Sequence, residues 1–397
     1  MKRQALLVLL LSSLILTGCS TSSSNNQSKP AGDNSPSAGD ASNVQPEPDV
    51  EDLGEKEIHT DLMKRYLADT WDSILTYVPK VNIEDKTYHN DQSQPNPIKL
   101  EFDEVYDASK YYVEIAKNWQ FTDSKIVQST TKSYDFYNSE IGQTYYFRAA
   151  DSEDALEDAN IKKFSVSNIA PRQIHVDGVI NFRDAGGWKS SLVENGVVKQ
   201  GMYYRCAQFN SITADGLKAI KDLGIKVDID MRDSYSVPST SPLKTADWDV
   251  EILKASVASG SEAGRWEGDD NKDHNIAATY KKIFEAIAVA DEKPIALHCT
   301  HGADRTGIVS WFLLGLLGVS KEDCARDYVM TRFAGERAVL PSGSDSEIAK
   351  WNAKTEALEG DTWAEKTYKH LNEDFGITKE TLETIREKFI PGYVAEE

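Results

Sequence analysis

The sequence predicts an α/β domain with a central, mostly parallel sheet flanked by helices, preceded by a small all-β sandwich. Three observations carry that expectation. Residues 95 to about 168 hold short runs rich in aromatic and β-branched residues, cut by polar turns. From about 169 the pattern changes to apolar strand-like runs alternating with helical stretches. One such run, "PIALHC", leads through a short loop into "TGIVSWFLLGLLG", a helix apolar nearly all round, as suits the centre of a domain. The 397 residues leave room for two or three domains.

Along the chain, Lys2 and Arg3 precede "ALLVLLLSSLIL", an apolar run too short to span a membrane comfortably. Then comes "LTGCS", in which Gly18 before Cys19 resembles a bacterial lipobox. That resemblance implies that residues 1–19 are a lipoprotein signal, that the Cys19 thiol is lipidated, and that the protein is exported and anchored to the bacterial cell membrane. Residues 20–55 are rich in Ser, Asn, Gly, Pro and Asp and cannot bury enough surface to order themselves, which predicts a disordered tether.

Residues 60–168 are expected to hold a short helix and the sandwich. Apolar residues recur at helical spacing over 60–79, up to Pro79. "PIKLEFDEV", "KYYVEIAK", "KIVQSTTKSYDFY", "QTYYFRAAD" and "IKKFSVSN" supply the strands. "GQTYYFRA" resembles the penultimate strand region of fibronectin type III modules. The partner of this β-domain is unknown. Residues 169–397 are expected to form the α/β domain. Asn-Gly in "VENGVV" predicts a tight hairpin, and "TADGLKAIKDLG" a helix capped by Thr213 and stopped by Gly224. "IKVDIDM" reads as a buried strand and "NIAATYKKIFEAIAVA" as a long helix.

The formal net charge of −20 argues against nucleic-acid binding and against a polybasic membrane surface. An anionic substrate then needs a locally positive site. With Cys19 lipidated, Cys206, Cys299 and Cys324 remain, an odd number that speaks against a disulfide framework and for a free thiol. No Cys/His spacing suggests a metal, and no cofactor is expected.

"HCTHGADRTG", residues 298–307, joins the apolar strand to the apolar helix. A strand-to-helix loop aims successive amides at one point, which suits a tetrahedral phosphate. Thr300, His301, Gly302, Ala303, Asp304 and Arg305 would form the cradle, Gly302 letting the backbone turn and Arg305 closing it with a two-pronged guanidinium. The same positive field would stabilise a thiolate at Cys299, bringing its pKa from about 8.5 into the range of roughly 3.5–7.5. In-line attack on phosphorus would give a cysteinyl-phosphate, and Thr306 could steady the sulfur as it leaves. The departing oxygen needs a proton. Asp304, Asp228 and Asp230 are all candidates, the last two because strand C-termini face the ligand crevice.

These residues resemble the cysteine-dependent protein tyrosine and dual-specificity phosphatases, and most closely the exported bacterial ones with a His-Cys-x-x-Gly-Lys-Asp-Arg-Thr-Gly loop. "VDGVINFRDAGG", "GMYYRCAQF", "DMR" at 230–232, "RDYVMT" and "HLNEDFGITKETLETIREKF" match further motifs in the same order, over about residues 170–392. The resemblance implies Cys299 as nucleophile, Arg305 as phosphate ligand and Asp304 as proton donor, acting on a phosphorylated protein or small phosphomonoester. Ala303 replaces the family's lysine, which weakens a phosphoinositide or inositol-polyphosphate reading. Arg183, Asp184 and Asp230 either line the pocket or form structural ion pairs. Cys206 is a buried structural thiol or a redox partner for Cys299. Other readings are an anion-binding or adhesive lipoprotein and a sulfurtransferase-like thiol enzyme.

Overall fold

The computed structural model describes residues 47–68, 94–257, 276–334 and 353–395. Cys19, residues 20–46, the later part of the 60–79 helix and the polar stretch 259–275 lie outside the described residues. Among those described, no helix is long and apolar enough to cross a membrane.

The β-rich part has two sheets. Strands β1 (Glu51–Lys56), β7 (Lys162–Val166), β6 (Thr144–Ala150), β3 (Tyr111–Ala116) and β4 (Lys125–Ser129) lie side by side in that order. β2 (Ile98–Glu101) and β5 (Ser133–Phe136) form the second sheet, antiparallel. Alternation explains the layering. In β2, Ile98 and Leu100 are buried while Lys99 and Glu101 are exposed. Leu100, Val113, Phe147 and Phe164 share one core, each contributing roughly 1.5–3 kcal/mol by burial. The run "KIVQSTTKSYDFY" splits into two strands, one in each sheet. The expected tether ends earlier than residue 55, because Glu51–Lys56 pairs in parallel with β7. Only Leu53 of that polar strand packs on the core, so the chain is held there by ladder bonds more than by burial.

The second sheet system runs β13 (Glu251–Lys254), β12 (Val227–Asp230), β14 (Ile295–His298), β11 (Tyr203–Cys206) and β8 (Arg183–Asp184). The first four are parallel and β8 is antiparallel to β11. Helix α2 (Ala214–Asp222) covers one face, with Thr213 accepting from Gly216 N and Gly224 in the left-handed region. The other face packs against α3 (Ile276–Ile287), α4 (Asp304–Leu316), α5 (Lys321–Val329), α6 (Trp363–Glu373) and α7 (Lys379–Phe389). Every residue of α4 after Asp304 is buried, which accounts for its lack of a polar face. β9 (Lys189–Ser190) and β10 (Gly196–Val197) form the expected hairpin. Gly196, however, pairs with Ser190 rather than sitting in the turn, and left-handed Asn195 closes a longer connection.

Helix α1 (Asp61–Leu67) sits with the α/β domain, not with the sandwich it adjoins in sequence. Met63 and Tyr66 are buried in the same core as α4, and the Tyr66 hydroxyl donates to Arg326 O at 2.7 Å. Polar clasps join the two parts. Gln200 Nε2 donates to Ile141 O at 2.9 Å while Ile141 N donates to Gln200 Oε1 at 3.0 Å. Arg172 bonds the carbonyls of Ser139 and Asn138 and pairs with Asp184.

Candidate active site

The C-terminal ends of β11, β12 and β14 gather Cys206, Asp230 and His298 in register, and the chain turns there into the 299–303 loop. Ala303 occupies the N-cap of α4 and offers no side-chain acceptor. The first amides of the helix are therefore left for an outside anion. Gly302 has φ 66°, and a Cβ there would lie 2.2 Å from Cys206 O, so the loop passes too close to β11 for any side chain.

Cys299 is buried at the floor of this turn. Burial alone would push its thiol up. The Thr306 hydroxyl, the Arg305 guanidinium and the amides of Thr306 and His301 together outweigh it and hold the thiol below its ordinary value. The Thr306 hydroxyl is buried and makes no hydrogen bond of strict geometry, so it stands as a dipole available to the sulfur. Arg305 is held in place by the carbonyls of Met231 and Val257, at 3.2 and 3.1 Å, and by Thr300 Oγ1 at 3.3 Å. Asp233 Oδ1 approaches it to 4.0 Å. Within the loop Ala303 is buried and His301 is exposed.

The carboxylates separate into distinct groups. Asp230 is fully buried and clamped by Arg232, whose Nη2 is 2.5 Å away and whose main-chain amide donates at 2.9 Å. Arg232 in turn reaches Gln208 and Asn210. Asp228 accepts from Ser241 at 2.6 Å and lies 3.0 Å from His298 Nε2, an ion pair without good hydrogen-bond angles. Burial would lower the His298 pKa, but Asp228 wins and holds it above the ordinary value. The other ring nitrogen lies 2.9 Å from Cys299 O, which suits a loop-shaping role. Asp304 is partly exposed at the first turn of α4, where the Tyr328 hydroxyl donates to it at 3.3 Å. Of the three candidate donors, Asp304 alone is open to solvent.

Arg183 and Asp184 are not pocket walls. Both are buried, and each serves a different ion pair. Arg183 bonds Asp327 Oδ1 at 2.6 Å, and Arg205 bonds Asp327 Oδ2 at 2.5 Å. Burial and the neighbouring Arg205 bring the Arg183 pKa down to about 10. Burial would raise the Asp327 carboxyl, yet the two guanidinium groups hold it below its usual range. Asp184 pairs with Arg172 and accepts from the amides of Gly186 and Gly201. Burial prevails there and raises its carboxyl. Cys206 packs with Tyr204 and Ala296 on one sheet face, whereas Cys299 belongs to the cluster of Ile295 and Leu297 on the other. That opposition favours the structural reading of Cys206. Among the described residues no His/Cys/Asp/Glu group could hold a metal.

Sequence reasoning passed over Asn181, Arg205 and Asp327. Asn181 donates to the carbonyls of His301 and Gly302, and Arg205 to those of Gly302 and Ala303. All three stand inside motifs already quoted, so a signal was present, but nothing local shows that they meet at one loop.

A family model described as "Tyrosine phosphatase family" matches residues 174–396. A tyrosine-protein phosphatase of Nostoc commune is 25% identical over 201 residues, covering 46% of this chain and 65% of the relative. A Cupriavidus necator protein provisionally named a tyrosine-protein phosphatase is 25% identical over 173 residues, covering 38% of this chain and 60% of the relative. The chain thus spans somewhat under two thirds of either relative. A crystal structure of P. aeruginosa TpbA with phosphotyrosine shares 16% identity at a TM-score of 0.26, over 42% of this chain and 86% of that one. A score that low supports no inference about this chain.

Proposed function

The chain belongs to the tyrosine phosphatase family, and from that premise we propose that it hydrolyses phosphotyrosine-type monoesters through a cysteinyl-phosphate. One observation carries the reading. A buried thiol, held below its ordinary pKa, lies at the floor of a strand-to-helix loop flanked by a buried arginine.

In this reading Arg305 and the loop amides bind the three non-bridging phosphate oxygens. The Cys299 thiolate attacks phosphorus in line, and the P–O bond to the leaving group breaks. Asp304 gives that oxygen its proton, and then, as carboxylate, takes one from the water that cleaves the S–P bond. The Thr306 hydroxyl faces the sulfur as it regains its negative charge. Phosphoserine and phosphothreonine enter the same scheme with poorer leaving groups. Arg305 is the only arginine or lysine in residues 298–307, which suits a single phosphate better than an inositol polyphosphate.

We read residues 1–19 as a lipoprotein signal, so that Cys19 tethers an exported enzyme to the membrane. The layout of β1–β7 supports a fibronectin type III-like module. The test is hydrolysis of an aryl phosphate by the full chain: vanadate-sensitive turnover, abolished in Cys299→Ser, is expected. Unchanged turnover in that variant overturns the nucleophile assignment.

A further inference from the structure

The amides of the 299–303 loop face the sulfur only if its carbonyls face away, because a trans peptide holds C=O and N–H on opposite sides. Four consecutive carbonyls are met from behind. Gln208 N donates to Thr300 O at 3.2 Å. Asn181 Nδ2 donates to His301 O and Gly302 O, both at 3.1 Å. Arg205 Nη2 donates to Gly302 O at 2.7 Å and to Ala303 O at 3.4 Å. The first of these peptides shows the consequence: Thr300 O is held by Gln208, and the His301 amide that shares its plane reaches Cys299.

The donors are themselves fixed. Arg183 Nη1 donates to Asn181 Oδ1 at 2.6 Å, which settles which end of the Asn181 amide meets the loop. Asp327 holds Arg183 on one oxygen and Arg205 on the other. Asn181 and Arg205 are almost fully buried, and Asn181 Nδ2 and Arg205 Nη2 are directed at the loop carbonyls.

We propose that Arg205 and Asn181 are positioning residues: by holding the loop carbonyls from behind they turn the amides into the cradle, and so set its grip on a tetrahedral anion and the reactivity of Cys299. This rests on reading 298–307 as an anion cradle. A brace that only stabilised the fold would leave both properties unchanged in any variant that still folds.

The test uses the full chain, inorganic phosphate and iodoacetamide, with peptide-level mass spectrometry to follow Cys299 apart from the other thiols. Asn181→Gly removes the amide while suiting the left-handed backbone at that position, φ 61°. Arg205→Met removes the guanidinium, and Arg205→Lys keeps the charge but not the fork. Far-UV circular dichroism checks the fold, and Asn181→Gly decides the matter if the Arg205 variants do not fold. The expected result is at least about tenfold weaker phosphate protection of Cys299 in Asn181→Gly and Arg205→Met, with the alkylation midpoint moved toward that of an ordinary thiol. Arg205→Lys should recover part of both. A folded variant with a lower melting temperature but wild-type protection and midpoint overturns the proposal. Neither readout needs turnover. A wild-type chain that phosphate protects but that hydrolyses no aryl phosphate therefore refutes the hydrolase reading and leaves this one standing, while a wild type that phosphate does not protect overturns this proposal whatever its turnover.

Discussion

Cys206 ends one of two neighbouring parallel strands, Cys299 follows the same end of the other, and both are buried, yet their thiols move in opposite directions. Burial, with Asp228 adding to it, pushes Cys206 well above its ordinary value. Cys299 meets the same burial and is still held below. The difference lies in what surrounds each sulfur. Cys206 faces Tyr204, Ala296 and other apolar groups, whereas Cys299 faces a hydroxyl, a guanidinium and two amides. An interior is hostile to a thiolate unless dipoles are already arranged for it, and here they are arranged by a loop only a few residues long.

Nucleophile substitution should sharpen this contrast most. Cys299→Ser is expected to lower aryl phosphate hydrolysis by at least about a thousandfold. Cys206→Ala should stay within a fewfold of wild type, and comparable losses in the two steady-state assays would erase the distinction. The next largest effect concerns two of the candidate proton donors, Asp304 and Asp230. Asp304→Asn should cost about 10²–10⁴-fold on an alkyl phosphate and much less on an activated aryl ester, as a proton donor must. Asp230→Asn should instead lower stability by roughly 3–5 kcal/mol, because it leaves Arg232 buried without its carboxylate. Urea unfolding of the two variants separates these outcomes, and a leaving-group dependence in Asp230→Asn would reverse the assignment.

Acidity distinguishes the sulfurs more gently. The Cys299 pKa is lowered, so its thiolate persists above the folded value and is lost as pH falls through it. Alkylation of Cys299 should accordingly rise with pH at a midpoint below 9.0, while Cys206 stays unreactive until the chain unfolds. Equal rates at neutral pH would contradict the contrast. The smallest effect belongs to His298, whose folded pKa is raised. Its pairing with Asp228 stabilises fully below about 6.5 and fades as pH rises through the folded value. A melting-temperature profile should show that decline in wild type and not in His298→Gln.

The strand, loop and helix that make the cradle were legible because each is local. An apolar run, a short polar loop with a glycine and a helix apolar nearly all round follow one another in sequence. Thr213 and Gly224 marked α2 in the same way. The brace behind the loop was not legible, since Asn181, Arg205 and Asp327 are far apart in sequence and converge only when β8, β11 and α5 pack. Asp230 looked as available as Asp304 because both end up near strand or helix termini. Side-chain partners, not position, tell them apart. Strand β1 escaped notice for a different reason: a polar edge strand needs ladder bonds from β7 and shows no apolar alternation of its own.

The placement of α1 has a consequence for anyone who would take the molecule apart. The polypeptide enters the sandwich through β1, leaves it to plant Met63 and Tyr66 in the α/β interior, returns for β2–β7, and departs again near residue 169. The two halves are laced together rather than strung in series. A protease nick near residue 169 would leave the two fragments still joined through Met63 and Tyr66, and a fragment beginning at 169 would leave behind two side chains that its own core is shaped to receive.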